Sequence, residues 1–317
     1  MAKMTDTSAH VSERDRPGSI SHAAPPGTHL RQLLPSLTRL WAAGLLKLYR
    51  MRLIKVLALL ELVLYFFVLL LLHSSTNERF LDRLDPHAFL QELLSLDLSY
   101  FDAAAGLLLL IAAARLVALE YSSGTIRVLL GQGIHRGTLL ASQLLALLTV
   151  GLALLLGSAI ISFMGGLWLL GAWGTTTGIA IIPILWPAIL MAMLLGIVSL
   201  VACNLIGMSA AAIGRSMPFA MGAALGFFPA DNLGTPILRV LSRLSGIQWV
   251  GQVPRFLLGP SLNHLPEVAW SGMSFSISLP QPPGNSPLLP TAITIAVWLG
   301  SLTVIATGMT LFRDVLE

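Results

Sequence analysis

Side chains that could do chemistry are scarce in this sequence, and their spacing fits no common active site. There is no Gly-x-x-x-x-Gly-Lys-Ser/Thr loop, so the chain is not expected to bind and hydrolyse ATP itself. The seven histidines are scattered, and no pair has the spacing of metal ligands on a helix. The single cysteine, Cys203, lies in an apolar run, and one cysteine cannot form an internal disulfide. We therefore predict no catalytic, cofactor or metal site on this chain.

Two ionisable residues, Glu61 and Arg115, lie deepest in the predicted membrane spans. Buried charges in lipid usually face protein and find a partner. At 1.5 Å per helical residue, the depths of these two residues in the membrane differ by roughly 4 to 5 Å. Side chains on two neighbouring antiparallel helices can pair across such a difference. We predict an intramembrane ion pair that fixes the bundle. Two alternatives stay open, namely a role in substrate or proton movement, and a Glu61 side chain that meets headgroups or water.

The segment from Glu120 to Gln143 has a pattern typical of a short helix on a membrane surface. Ser123 or Thr125 can serve as its N-cap. One face of the helix is apolar, while Arg127 points elsewhere. The residues on that face are Ile126, Leu129 and Leu130. The glycines at 131 and 133 are expected to end the helix, and a second helix starts near residue 138.

This segment resembles the second cytoplasmic turn of type-2 ABC transporter permeases. That turn reads Glu-x-x-x-Gly-Thr-x-x-x-Leu-Leu-x-x-Pro-Ile-x-Arg, with a Lys seven residues later. The matching residues are Glu120, Gly124, Thr125, Leu129, Leu130, Ile134 and Arg136. The chain departs from the motif at Gly133, where the family has Pro, and at Gln143, where it has Lys. An ordinary inner loop would explain the arginines, but not the Glu, the Gly-Thr pair and the spacing together.

The resemblance implies that this turn is a coupling helix, which docks into a groove on a separate ATPase subunit. The residues assigned to ATPase coupling are Glu120, Gly124, Thr125, Ile126, Arg127, Leu129, Leu130 and Arg136. The apolar edge would supply the buried anchor, and Arg127 or Arg136 a contact at the rim. Glu120 is expected to hold the turn, either by capping or by pairing with a nearby Arg.

The elements that position this turn follow from the distribution of charge. Residues 137–214 are 78 consecutive positions without Asp, Glu, Lys or Arg. A bilayer demands such a stretch, because an ion at mid-membrane costs several kcal/mol. Mean hydropathy is +0.81 and charged residues make up 11% of the chain, against roughly 25% in a soluble domain. The chain is therefore predicted to be an all-α integral membrane protein.

Apolar runs of about 20 residues predict six spans. They cover about 53–72, 103–119, 139–164, 179–213, 217–231 and 291–312. Residues 1–27 are polar and are predicted to be a disordered cytoplasmic tail. From His29 to Arg52 the pattern is amphipathic and predicts a helix in the membrane interface. Residues 28–317 then form one permease domain, in which 232–290 are an outer segment between the last two spans.

Lysine and arginine indicate the orientation of these spans. With both termini inside, 14 of the 19 basic residues lie on the cytoplasmic side. The five left outside are Arg79, Arg83, Arg239, Arg243 and Arg255. This bias predicts a multi-pass protein of the cell (inner) membrane with both termini in the cytoplasm.

The resemblance therefore implies that the chain is the permease subunit of an ATP-binding-cassette transporter. It also implies an exporter, because outward transport is the more common direction in that family. The implied partners are two copies of a cytoplasmic ATPase, which would bind ATP and Mg, and a second permease copy or a paralogue. The lipid bilayer surrounds the bundle, and nucleic acid is not an expected partner. Two alternatives stay open. One is a non-transport membrane component that uses an ATPase for mechanical work, sensing or envelope assembly, and the other is an intramembrane enzyme.

Overall fold

The computed structural model describes residues 28–75, 93, 94, 97, 106–172, 182–269 and 287–312, and all regular structure among them is helical. In chain order the elements are α1 (Thr28–Arg50), α2 (Arg52–Ser75), α3 (Gly106–Ser122), α4 (Thr125–Gly131), α5 (Arg136–Ala172), α6 (Ile182–Gly214), α7 (Met217–Ser245), a 3₁₀ helix (Gln248–Phe256), α8 (Leu258–Ala269) and α9 (Leu288–Phe312). An apolar chain in lipid must satisfy its own backbone hydrogen bonds, and a helix does so within one segment. The predicted all-α class is confirmed for the described residues. The predicted tail lies outside them.

Three of the described helices are long and apolar enough to cross a membrane. Their spanning parts are Arg136–Leu169, Ile189–Gly214 and Leu288–Thr310. The first has 34 residues, well above the roughly 20 of one perpendicular crossing. The length of α5 therefore leaves room for its first turns to carry polar side chains beyond the hydrocarbon.

The crossing of α3 with α6 forms the centre of the bundle. Leu110 on α3 and Ala202 and Ala211 on α6 are inaccessible. Gly207 of α6 lies where the two backbones approach most closely: an added Cβ would stand 2.5 Å from the Leu110 carbonyl oxygen and 2.9 Å from the Ala114 nitrogen. Small residues allow such approaches in membranes, where packing between helices supplies association energy.

Gly207→Ala is therefore expected to destabilise the protein by about 1–3 kcal/mol, as overpacking does in a close-packed core. The added methyl group would meet backbone atoms, which cannot rotate away. Thermal unfolding of the purified chain in detergent measures the loss. Gly157→Ala on α5 is the matched control, because no atom lies within 4 Å of its added Cβ. Equal unfolding midpoints for the two variants would contradict the close crossing of α3 and α6.

Helix α1 packs along the first half of α5. The Trp41 Nε1–H donates to Thr149 Oγ1 at 3.1 Å, and Leu48 is fully buried. An added Cβ on Gly44 would stand 3.0 Å from the Cβ of Ala146. The last turns of α1 are therefore fixed against the bundle. That α1 lies in the membrane interface stays a prediction.

Helix α5 is longer than the predicted span 139–164. It begins at Arg136 and continues to Ala172, so the glycines at 165, 166 and 171, which follow the predicted end of the span, are also helical. Glycine weakens a helix by roughly 1 kcal/mol in water, but it is frequent in transmembrane helices. In α5 the apolar environment therefore outweighs the low helix propensity of glycine. The connection after Ala172, residues 173–181, lies outside the described residues, and α6 then starts at Ile182 and contains Pro187.

Helix α7 also differs from the predicted span 217–231. It runs from Met217 to Ser245 and passes through Pro229, because neighbouring elements can satisfy the backbone groups that a proline frees. The predicted outer segment 232–290 is thus partly helical, since α7, the 3₁₀ helix and α8 all lie within or extend into it. Asp231 Oδ2 accepts the Gly259 N–H at the start of α8, where helix N–H groups have no intrahelical partner. Residues 270–286 of the predicted outer segment lie outside the described residues.

Candidate functional site

Helix α4 is bounded by two glycines in the left-handed conformation. Gly124 is its N-cap with φ 67°, and Gly133 follows the helix with φ 80°. A residue with a Cβ is strained there by about 1–2 kcal/mol, which explains why glycines stand at both ends. The predicted side-chain cap is wrong: α4 has none, and the Ser123 and Thr125 hydroxyls instead bond to each other at 2.6 Å.

The apolar residues of α4 are divided between the bundle and the outside. Ile126 is only 5% exposed, and Leu129 and Leu130 are half-buried. Val128, in contrast, is 62% exposed. The prediction placed Ile126 on the edge that a partner would bury, but the structure directs it into the bundle and presents Val128 instead. The side chain of Arg127 is not among those described.

The carboxylate of Glu120 lies at the end of α3, just before α4 begins. It is 5% exposed. Its Oε1 lies 2.6 Å from Lys47 Nζ on α1, and its Oε2 accepts a hydrogen bond from Gln143 Nε2 on α5 at 2.5 Å. Both oxygens are thus used, and the three side chains join α1, α3 and α5 immediately before α4 begins. We call these three residues the Glu120 cluster.

The partners of Glu120 differ from both predictions, which were a capping role and a pair with a nearby Arg. A buried carboxylate must be paired, because an unpaired one is strongly destabilising. Lys47 is 73 positions away in the sequence and meets Glu120 only because α1 docks on α5. Gln143 stands where the resembled family has Lys, so a neutral donor occupies that position and the cation comes from α1. A buried acid at the end of an apolar helix was the only signal that a distant partner had to exist.

A second set of contacts ties α9 to the same end of the bundle. Tyr121 donates through its hydroxyl to Thr310 Oγ1 at 3.2 Å. Arg136, at the start of α5, donates from Nη1 to the Thr310 carbonyl oxygen at 2.9 Å. The Arg215 guanidinium, between α6 and α7, lies 5.9 Å from the centre of the Tyr121 ring. The ends of α3, α5, α6 and α9 therefore converge beside α4, and we call this region the α4 end.

Of the predicted ion pair, the structure describes only one side chain. Arg115 is partly exposed, and the side chain of Glu61 is not among those described. The Glu61–Arg115 pair therefore stays a prediction. Among the described residues, no group of three His, Cys, Asp or Glu side chains is placed to hold a metal ion.

Helix α4 is connected at both ends to helices of the bundle. At one end it is joined to α3, whose residues Leu110, Leu116 and Ala118 are buried in the core. At the other it is followed by α5, which has 37 residues. A force on α4 would therefore act directly on both α3 and α5. Polar bonds of the Glu120 cluster and of Thr310 would resist local bending of the turn.

A family model described as ABC-2 family transporter protein matches residues 9–312. The match covers nearly the whole chain, including every described helix and the segment 120–136. It confirms the resemblance indicated by the Glu120–Arg136 motif. None of the curated proteins compared with the chain matches it significantly.

Proposed function

Because this chain belongs to the ABC-2 family of transporter proteins, we propose that it is the transmembrane permease subunit of an ATP-binding-cassette transporter. It works with a separate cytoplasmic ATPase subunit, which binds ATP and Mg. The observation that carries this proposal is α4, a short helix fixed by the Glu120 cluster at the end of the bundle. Val128 on this helix is 62% exposed and offers an apolar contact for a partner.

In the proposed cycle, two ATPase subunits close on ATP and push α4 of each permease copy. The push passes through α3 to the crossing at Gly207 and through α5 along its length. Substrate moves between two permease subunits, either two copies of this chain or this chain and a paralogue. We propose outward transport, the more common direction in the family that the motif resembles.

Reconstitution separates this function from its alternatives. The chain would be co-expressed with candidate ABC ATPases, purified in mild detergent, and tested by mass spectrometry for bound partners. Stoichiometric association with an ATPase, and ATP hydrolysis stimulated by a transported molecule in liposomes, would support a transporter. ATP hydrolysis without any vectorial movement would favour a non-transport component. Purification without an ATPase, accompanied by turnover of a lipid or peptide, would favour an intramembrane enzyme.

We further propose that six helices cross the membrane and that the α4 end faces the cytoplasm. The six are α2, α3, α5, α6, α7 and α9. The exposed side chains on these helices include many apolar residues that lipid would cover, such as Phe66 at 61%, Ile160 at 63% and Val304 at 69%. The basic residues Lys47, Arg136 and Arg215 all lie at the α4 end, which the positive-inside rule places in the cytoplasm. The membrane is then the inner (cell) membrane, with both termini inside.

Cysteine labelling in a Cys203→Ala background tests this topology. Asp85→Cys and Phe275→Cys are expected to react with an impermeant thiol reagent added to intact cells. Ile20→Cys and Val315→Cys are expected to react only after the membrane is permeabilised. The reverse pattern would invert the proposed orientation. If Val315→Cys reacts in intact cells and Ile20→Cys does not, the termini lie on opposite sides and the chain has one span fewer than proposed.

A further inference from the structure

A strongly basic cavity lies beside the Glu120 cluster, and its volume is about 610 Å³. It is lined by the end of α1, the start of α2, the end of α3 and the first residues of α4. Four cationic side chains line it, Lys47, Arg50, Arg52 and Arg115. Among the described residues of the lining, Glu120 is the one carboxylate, and both its oxygens already accept from Lys47 and Gln143. Within the part of the chain that the structure describes, three arginines therefore line the cavity without a second acidic residue to balance them.

Arg115 gives this cavity a buried donor. Its Nε is shielded from solvent and has no hydrogen-bond partner among the described side chains. A buried donor left without an acceptor costs about 1–3 kcal/mol, and more when it carries charge. An anion in the cavity would remove that penalty and reduce the mutual repulsion of the three arginines. Guanidinium groups suit a phosphate in particular, because their fork of N–H donors matches two of its oxygens.

The apolar part of the cavity lining indicates that the phosphate belongs to an organic molecule. Met51, Leu116 and Leu119 form an apolar side of the lining, which an inorganic ion would not use. The volume falls in the range of pockets that hold whole organic groups. Beyond Arg52 along the chain, α2 exposes an apolar surface that includes Val56 at 60% and Leu59 at 61%, along which acyl chains can lie.

From the charge, the buried donor and the apolar wall, we propose that this cavity binds the phosphate headgroup of an anionic phospholipid from the leaflet at the α4 end. Arg50, Arg52 and Arg115 hold the phosphate. Ser123 and Thr125 also line the cavity, so the lipid lies against the first residues of α4. This site does not depend on an ATPase and is independent of the proposed transport function.

Native mass spectrometry of the purified full-length chain, titrated with phosphatidylglycerol or phosphatidylcholine, tests the site. We expect saturable binding of phosphatidylglycerol and much weaker binding of phosphatidylcholine. Arg115→Gln, and separately the double change Arg50→Gln with Arg52→Gln, should each weaken phosphatidylglycerol binding about tenfold, the effect of losing one charged hydrogen bond. Arg243→Gln is the control, because it removes an exposed arginine near the far end of α7.

Three results of this titration would overturn the proposal. Equal binding of the two lipids would mean that the headgroup charge is not recognised. An equal loss in Arg243→Gln would mean that only net charge matters. Competition by inorganic phosphate at millimolar concentration, with the same dependence on Arg115, would assign the site to a free anion. The double change at Arg50 and Arg52 alters exposed side chains only, so the test remains decisive even if Arg115→Gln fails to fold.

The expected effect of Arg115→Gln is different if Arg115 pairs with Glu61. If Glu61 is the partner of Arg115, then Arg115→Gln should lower the thermal midpoint equally in phosphatidylglycerol and phosphatidylcholine, and that result would also overturn the proposal. If the lipid is the partner, the loss should appear in phosphatidylglycerol alone. Glu61→Gln should then leave phosphatidylglycerol binding unchanged or tighter.

Discussion

Lys47→Met is expected to lower the stability of the purified chain by about 2 kcal/mol, seen as a fall of several degrees in its thermal midpoint. The change keeps the length of the side chain and its apolar stem, and it removes only the ammonium group 2.6 Å from Glu120 Oε1. Removing one partner of a fully buried pair costs roughly 3–5 kcal/mol, because the other charge is left uncompensated. The expected loss is smaller here because the Lys47 side chain is 45% exposed, while the Glu120 carboxylate stays buried.

Gln143→Lys should restore most of the stability lost in Lys47→Met. Gln143 Nε2 already lies 2.5 Å from Glu120 Oε2, so a lysine on α5 can reach the same carboxylate. Lys55→Met is the control, because Lys55 is an exposed lysine on α2 that contacts the Tyr49 ring and not Glu120. If Gln143→Lys gives no rescue, or if Lys55→Met is equally damaging, the Glu120 cluster does not bear the stability assigned to it.

The extent of each helix was predictable where a single physical effect decides it. The uncharged stretch 137–214 was predicted to form two membrane-crossing helices, and α5 and α6, which both contain an apolar part long enough to cross, lie in its described residues. Their ends were less predictable, because glycine and proline act differently in lipid. The glycines at 165 and 171 stay helical, and α7 continues through Pro229, since in a bilayer a broken helix would leave backbone groups without partners.

The candidate site was predictable in position but not in its contacts. The spacing from Glu120 to Arg136 located the turn and its two glycines, because these depend on residues close in sequence. Helical periodicity grouped Ile126 with Leu129 and Leu130, but it could not say which of them the bundle buries. That depends on how α4 packs against α3, and the partner of Glu120 depends on where α1 docks.

Val128→Asp is expected to weaken association with the ATPase at least 30-fold while leaving the fold intact. An exposed apolar residue at the centre of an interface typically contributes about 2 kcal/mol or more when it acts as an anchor, and a buried carboxylate in its place would add a desolvation penalty. Val128 is the most exposed apolar residue of α4, so its loss should not disturb the bundle. Co-purification with the ATPase and the rate of ATP hydrolysis by the complex measure the effect.

Two matched variants separate loss of the contact from loss of the fold. Gln132→Asp adds the same charge at an exposed position immediately after α4 and should weaken association only slightly. Ile126→Asp places the charge where the side chain is 5% exposed and should lower the thermal midpoint before it affects any partner. If Val128→Asp retains full association and ATP hydrolysis, α4 is not the docking element. Glu120 and the bonds around Thr310 would then serve only the stability of the bundle, and the coupling contact would have to lie on another segment at the α4 end.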